Sequence, residues 1–218
     1  MQRRLLCGLT VAGVLAVASV VWAQAAPQRI HGVVVRLDGA ALHVQTNRGA
    51  ERVIAVGNDT RIIVQTAASA DAIRPGDFVA TTAAPQADGT LRASELRIFS
   101  EALRGVGEGH RPMSNLPGST MTNATVTAVS RRDASTVTNA TVSAIAARGG
   151  EAAVKVSYPG GEQTVVVPPG VPVSRIDIGD RAALVPGAHV VVQAGPNAVG
   201  ALTASRISVG KDGFVPPG

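Results

Sequence analysis

The sequence predicts an all-β protein built from two small antiparallel barrels or sandwiches in tandem. Three observations carry that expectation. Short stretches alternate apolar and polar residues with the period of two that a half-buried strand requires, as in Gly32-Val33-Val34-Val35-Arg36-Leu37. Turn signals recur about every 8–12 residues, the spacing of compact antiparallel architectures. The third is an internal repeat. The turn Pro75-Gly76 returns as Pro186-Gly187 and the phrase Leu91-x-Ala93-Ser94 returns as Leu202-x-Ala204-Ser205, both 111 residues later. One offset shared by separate motifs marks a duplication.

The first module is expected over residues 30–99 and the second over 139–209. In module one, Ala41 to Thr46 and Arg52 to Val56 read as strands joined around Asn47-Arg48-Gly49, with Arg61 to Val64 as an extended continuation. Ala70 to Ile73 fits one helical turn before Pro75-Gly76-Asp77. Phe78 to Thr82 and Leu91 to Phe99 pair through Ala87-Asp88-Gly89. Module two opens with Ala140 to Ile145 and continues with Ala152 to Ser157, Gln163 to Val167, Ala188 to Gln193 and Ala201 to Val209. Pro168-Pro169 ends its third strand, because proline donates no ladder hydrogen bond. Residues 100–138 form a Gly- and Pro-containing linker, with a short helical turn at Ser100 to Arg104, and residues 210–218 form a tail.

Within the linker an eight-residue phrase, Thr122-Asn123-Ala124-Thr125-Val126-Thr127-Ala128-Val129, recurs 16 residues later as Thr138-Asn139-Ala140-Thr141-Val142-Ser143-Ala144-Ile145. The second copy leads into the hairpin at Arg148-Gly149-Gly150, so it is expected to fill the first-strand slot of module two and to leave the first copy outside the barrel.

Residues 1–25 read as a signal peptide: Arg3 and Arg4, an apolar run from Leu5 to Trp22, and Ala23-Gln24-Ala25 as the cleavage site. Removing them from the 218 residues leaves 193, starting at Ala26. Cys7 leaves with the signal, so the mature chain holds no disulfide, thiolate metal site or attached c-type haem. The formal net charge of +5 falls to +3 when Arg3 and Arg4 are lost. No run of like charge stands out, and the mature aromatics are Phe78, Phe99, Tyr158 and Phe214. Few aromatic platforms argue against nucleic-acid or sugar stacking. The location expected is periplasmic or secreted, with no membrane span after cleavage.

The Gly-x-Val strand opening, Asp59-Thr60-Arg61, Arg74-Pro75-Gly76-Asp77, Asp88-Gly89-Thr90-Leu91-x-Ala93-Ser94 and the stretch Arg104-Gly105-x-Gly107-Glu108-Gly109-His110-Arg111-Pro112 resemble exported bacterial domains of unknown function, in a two-module subgroup. The resemblance implies two OB-like β-barrels and an envelope compartment. It implies no activity.

Two groups of linker residues are candidate sites. Gly105, Gly107 and Gly109 could turn backbone amides onto an anion, with Arg104, Glu108, His110 and Arg111 around it; the alternative is a turn that lets the chain cross between modules. His110, Met113 and Met121 are imidazole and thioether ligands suited to copper, although three such residues fall short of a closed site. No Ser-His-Asp set, carboxylate pair or zinc-binding helix motif is present, so no catalytic residue is assigned. The expected function is a non-catalytic binding or scaffolding module whose partner is an envelope protein or a small anionic ligand. Copper handling and an enzyme with a site between the barrels are the rivals. No cofactor is expected outside the copper alternative.

Overall fold

The computed structural model describes residues 27–114, 116–132, 150–197 and 200–217. It is all-β: twelve strands in one hydrogen-bonded sheet system, with 3-10 turns at Ala70–Ala72, Glu101–Leu103 and Arg181–Ala183. The expected strands that fall within the described residues form; that at Ala140 to Ile145 lies outside them. β1 (Gln28–Asp38), β2 (Ala41–Thr46) and β3 (Glu51–Ala68) make a meander, and β4 (Phe78–Pro85) pairs β5 (Leu91–Phe99) in a hairpin. The linker stretch is not a spacer. It supplies β6 (Gly109–Pro112) and β7 (Thr120–Arg132). Then follow β8 (Glu151–Tyr158), β9 (Gly161–Val167), β10 (Val173–Ile178), β11 (His189–Pro196) and β12 (Leu202–Gly210).

The first copy of the repeated phrase corrects the expectation made for it. It lies in β7, paired with β4 on one edge and with β8 on the other, and Thr122, Ala124 and Val126 are buried. Its register is held on one edge by β4, from Phe78↔Thr125 to Ala83↔Thr120, and on the other by β8. The second copy falls in residues 133–149, outside the described residues.

The strand order also departs from tandem barrels. β12-β11-β1-β2-β3 is a closed five-stranded barrel, because β12 pairs back onto β3 in parallel. Three of its strands come from the first repeat and two from the second. β4, β5, β7, β8 and β9 form the reciprocal ring, in which β5 meets β9 at Leu91↔Val165 and Arg92↔Val166. Each ring has its own apolar core. One gathers Leu42, Val44, Ile54 and Val56 with Val192 and Ile207; the other gathers Leu96 and Ile98 with Val126, Val154 and Val165. The repeats have therefore exchanged their last two strands within one chain.

Two matched sets of hydrogen bonds hold the exchange. The Pro-Gly turn of the first repeat bonds the opening strand of the second: Gly76 N–H donates to Val126 O and Val126 N–H to Asp77 O, both 2.8 Å. Its counterpart does the converse, Gly187 N–H to Val34 O and Val34 N–H to Ala188 O, both 2.9 Å. Gly76 and Gly187 have φ of +92° and +85°, which only glycine adopts without strain. The chain crosses between rings along β3 and β10, which run antiparallel from Ile63↔Ile178 to Ala68↔Val173.

The recurring Ala-Ser phrase is a β-bulge in both rings. Ala93 pairs Ala83 and Glu95 pairs Thr82, leaving Ser94 over; likewise Ala204 pairs Ala194 and Arg206 pairs Gln193, leaving Ser205. Each serine hydroxyl donates to the opposed carbonyl, Ser94 to Thr82 at 3.1 Å and Ser205 to Gln193 at 3.2 Å. A bulge re-aims the residue after it. Here it turns Glu95 and Arg206 to the outside of their rings.

Candidate functional site

Period-two alternation puts one side of each strand into its ring's core and the other outside. Where the rings abut, the outward residues make a separate seam: Ile63, Phe78, Ala80, Ile176 and Val191 are buried but belong to neither core. Phe78 and Phe99 meet there with ring centroids 5.6 Å apart. This seam opens into a cavity of about 440 Å³ lined by Arg29, Arg97 and Arg206, with Gln65 and Glu95. Positions related by the 111-residue offset line it together, Thr82 with Gln193, Glu95 with Arg206 and Arg97 with Ser208, so it lies between the two halves of the duplication.

Glu95 is the single carboxylate among the lining residues and it is already engaged: Arg97 Nη2 donates to its Oε2 at 2.7 Å. Among the described residues the guanidinium groups of Arg29 and Arg206 make no hydrogen bond or ion pair. Arg206 is exposed. Desolvation by the ring beneath it, and then the charges of Arg97, Arg61 and Arg29, hold its guanidinium below the usual arginine range. Gln65 is 3% exposed and its Oε1 has no partner, as has Arg97 Nε. Met113 and Met121 give the cavity an apolar wall. The arrangement suits capture of a small anion: guanidinium forks, that of Arg97 held by Glu95, and an amide stand around a space that carries excess positive charge.

The residues singled out by sequence serve other ends. Gly105, Gly107 and Gly109 all have positive φ, and the turn they make uses its own amides, Val106 N–H to Leu103 O and Glu108 N–H to Gly105 O. Its carbonyls are taken by the protein, with Arg111 Nη1 donating to Gly107 O and Asn123 Nδ2 to Val106 O, both 2.8 Å. Arg104 is paired with Glu101 and donates to Gly76 O at 2.9 Å, so it clamps the exchange turn. That pairing lowers the Glu101 carboxyl below its usual value. Glu108 is exposed. His110 shares a hydrogen-bond distance of 2.8 Å with Thr122 Oγ1 and stacks on Tyr158 with centroids 5.9 Å apart.

The copper set is divided. His110 pairs Thr122 and Arg111 pairs Met121, so alternation sends His110 to one face of the β6–β7 ladder and Met121 to the other. Among the described residues no group of three or more His, Cys, Asp or Glu is placed to hold a metal ion. Sequence reasoning missed Arg29, Arg97, Arg206 and Gln65 because they are far apart in the chain. The signal available was the residue after each Ala-Ser, which the bulge directs into the seam.

Among the described residues no helix is long and apolar enough to cross a membrane. Comparison with known proteins finds no matching family model, no matching curated protein and no matching solved structure.

Proposed function

We propose that this chain is an exported, non-catalytic binding module of the cell envelope that holds a small anion, a phosphate, sulfate or carboxylate, between two strand-exchanged OB-like barrels. The observation that carries the reading is the convergence of Arg29, Arg97 and Arg206 on one cavity with a single, already paired carboxylate. Like charges held together cost stability unless an anion joins them. Both rings pair strands in the same pattern: the third strand lies parallel to the last, β3 with β12 and β9 with β5, which supports the OB-like reading. Export rests on residues 1–25, and kinship with the exported domains of unknown function rests on the motifs quoted above.

The test is calorimetry of the mature chain with inorganic phosphate, sulfate and succinate. One site is expected, weakening with ionic strength as exposed charge interactions do. Arg206→Gln should lower the affinity at least about tenfold while leaving the ligand-free thermal midpoint unchanged or higher, because the substitution removes an unpaired like charge. Absence of heat and of any midpoint shift at millimolar anion, or equal affinity in the variant, sinks the proposal.

A further inference from the structure

The two rings match strand for strand, except at one edge. Thr120–Asn123 of β7 has a neighbour on both sides: β4, through Thr120↔Ala83 to Asn123↔Ala80, and β6, through Pro112↔Thr120 to Gly109↔Asn123. The corresponding residues of β1 are Gln28–His31, whose pairing with β11 runs from Gln28↔Ala194 to His31↔Val191. Ala194 and Val191 stand at the 111-residue offset from Ala83 and Ala80, so the register is the same. On its other edge β2 reaches only as far as Gly32. Apart from Asn47, whose N–H donates to His31 O, nothing among the described residues takes the place that β6 takes on β7.

A groove lies there instead. It has a volume of about 380 Å³ and is walled by Arg29, His31, Asn47, Arg48 and Arg52. His31 O accepts from Asn47 N–H at 3.1 Å, which identifies the edge that faces it. Ladder groups alternate between edges, so the amide and carbonyl of Arg29 point the same way and have no strand partner. No carboxylate is among the lining residues, and Arg29, Arg48 and Arg52 are exposed.

We propose that this edge of β1 accepts an acidic, extended peptide segment of another protein as an added strand. β6 is the internal precedent: a four-residue segment, Gly109–Pro112, laid antiparallel on the equivalent strand. β6 is covalently tethered and needs no affinity of its own. A separate peptide does, and alternate acidic side chains beside three arginines supply it, with main-chain ladder bonds fixing its register. Arg29 lines both this groove and the seam cavity, whereas Arg48 and Arg52 line the groove alone, so substitutions at those two test this proposal apart from the anion site.

The probe is a fluorescein-labelled Glu-Val-Glu-Val-Glu peptide read by anisotropy against the mature chain. Saturable binding with a dissociation constant below about 1 mM is expected, and Lys-Val-Lys-Val-Lys should not bind. Methylating the peptide's alternate backbone nitrogens should weaken binding at least about tenfold in one of the two possible phases, because only one set of amides enters the ladder. The double variant Arg48→Glu, Arg52→Glu should lose binding while keeping its thermal midpoint, both side chains being exposed. Absence of saturable binding, indifference to methylation in both phases, or unchanged binding by the double variant overturns the proposal. So does a concentration-dependent dimer of the chain that the double variant dissolves, since a second copy would then be the occupant.

Discussion

A fragment spanning Pro27 to Arg104 is expected to show no cooperative unfolding as a monomer, although it contains a complete repeat. In the intact chain β1–β3 close on β11 and β12, and β4–β5 close on β7–β9. Half of the first core, including Val190, Val192, Ile207 and Val209, comes from the second repeat. The fragment would leave both sets of strands with an open apolar face and two unpaired edges, and sheets of two or three strands without a covered face are marginal at best. The complementary fragment, Gly105 to Pro217, fails for the same reason. Mixed together, the two should regain strand circular dichroism and a single cooperative transition as a one-to-one complex, since each supplies what the other's rings lack. Strand exchange with a second copy is open to the first fragment alone, so its mass is measured with its melting curve. A folded monomeric fragment would show that a repeat closes its own barrel and would refute the exchange.

Val126→Asp should destabilise the folded state by several kcal/mol, whereas deletion of Asn123 through Thr138 should not. Val126 is 1% exposed and sits in the second core, with both its backbone groups committed to the turn at Gly76 and Asp77. A carboxylate there has no partner, and an uncompensated buried charge costs several kcal/mol, about 3–5, against a total stability on the order of 5–15 kcal/mol. The deletion joins Thr122 to Asn139, whose following residues repeat the lost phrase, so β7 keeps Asn, Ala, Thr and Val in sequence. It also shortens the hairpin. Arg132 pairs Glu151 across eighteen intervening residues in the parent; afterwards Arg148 takes that place and Gly149-Gly150 closes a two-residue turn. Three doublings of loop length are removed, which favours the folded state by about 2 kcal/mol. Against that stands the loss of Arg131, whose Nε lies 3.3 Å from Asp71 Oδ1 on the surface, an ion pair worth about 0–1 kcal/mol. Urea titration should therefore place the deletion variant at or above the parent. An insoluble product, or a loss above about 2 kcal/mol, would show that the residues beyond Arg132 are needed by the fold.

β1 to β5, β8, β9, β11 and β12 were legible because the alternation is local: buried Ala152, Val154 and Val156, alternating with Ala153 and Lys155, declare two faces without reference to any partner. The turns were legible as well, since positive φ at Gly76 and Gly187 demands glycine. The candidate site was not. Arg29, Gln65, Arg97 and Arg206 carry no common motif, and they converge only because two rings abut along β3 and β10. The glycine and arginine phrase of the linker drew attention instead, and its residues hold a turn and clamp the exchange. β10 was likewise absent from the sequence reading of module two. It is a crossing strand with Ser174 and Ile176 buried in the seam and Arg175 and Ile178 exposed, and so lacks the simple inward-outward pattern of a barrel wall.

The sequence by itself determined that the chain is all-β, that its Pro-Gly and Leu-x-Ala-Ser phrases recur at one 111-residue offset, where most of the strands and turns fall, and that an eight-residue phrase recurs 16 residues later. Only the tertiary structure decided which repeat each strand joins. Tandem and exchanged barrels bury the same side chains in the same registers, so strand propensity and alternation are indifferent between them. The choice rests on where Ala67 to Arg74, and its counterpart before Pro186, carry the chain. β3 continues past its own barrel to pair with β10, and the Pro-Gly turn that follows delivers β4 to the first strand of the other repeat. That path is settled by long-range pairing across the seam, which no local pattern encodes, and it is the same pairing that assembles the arginine cavity.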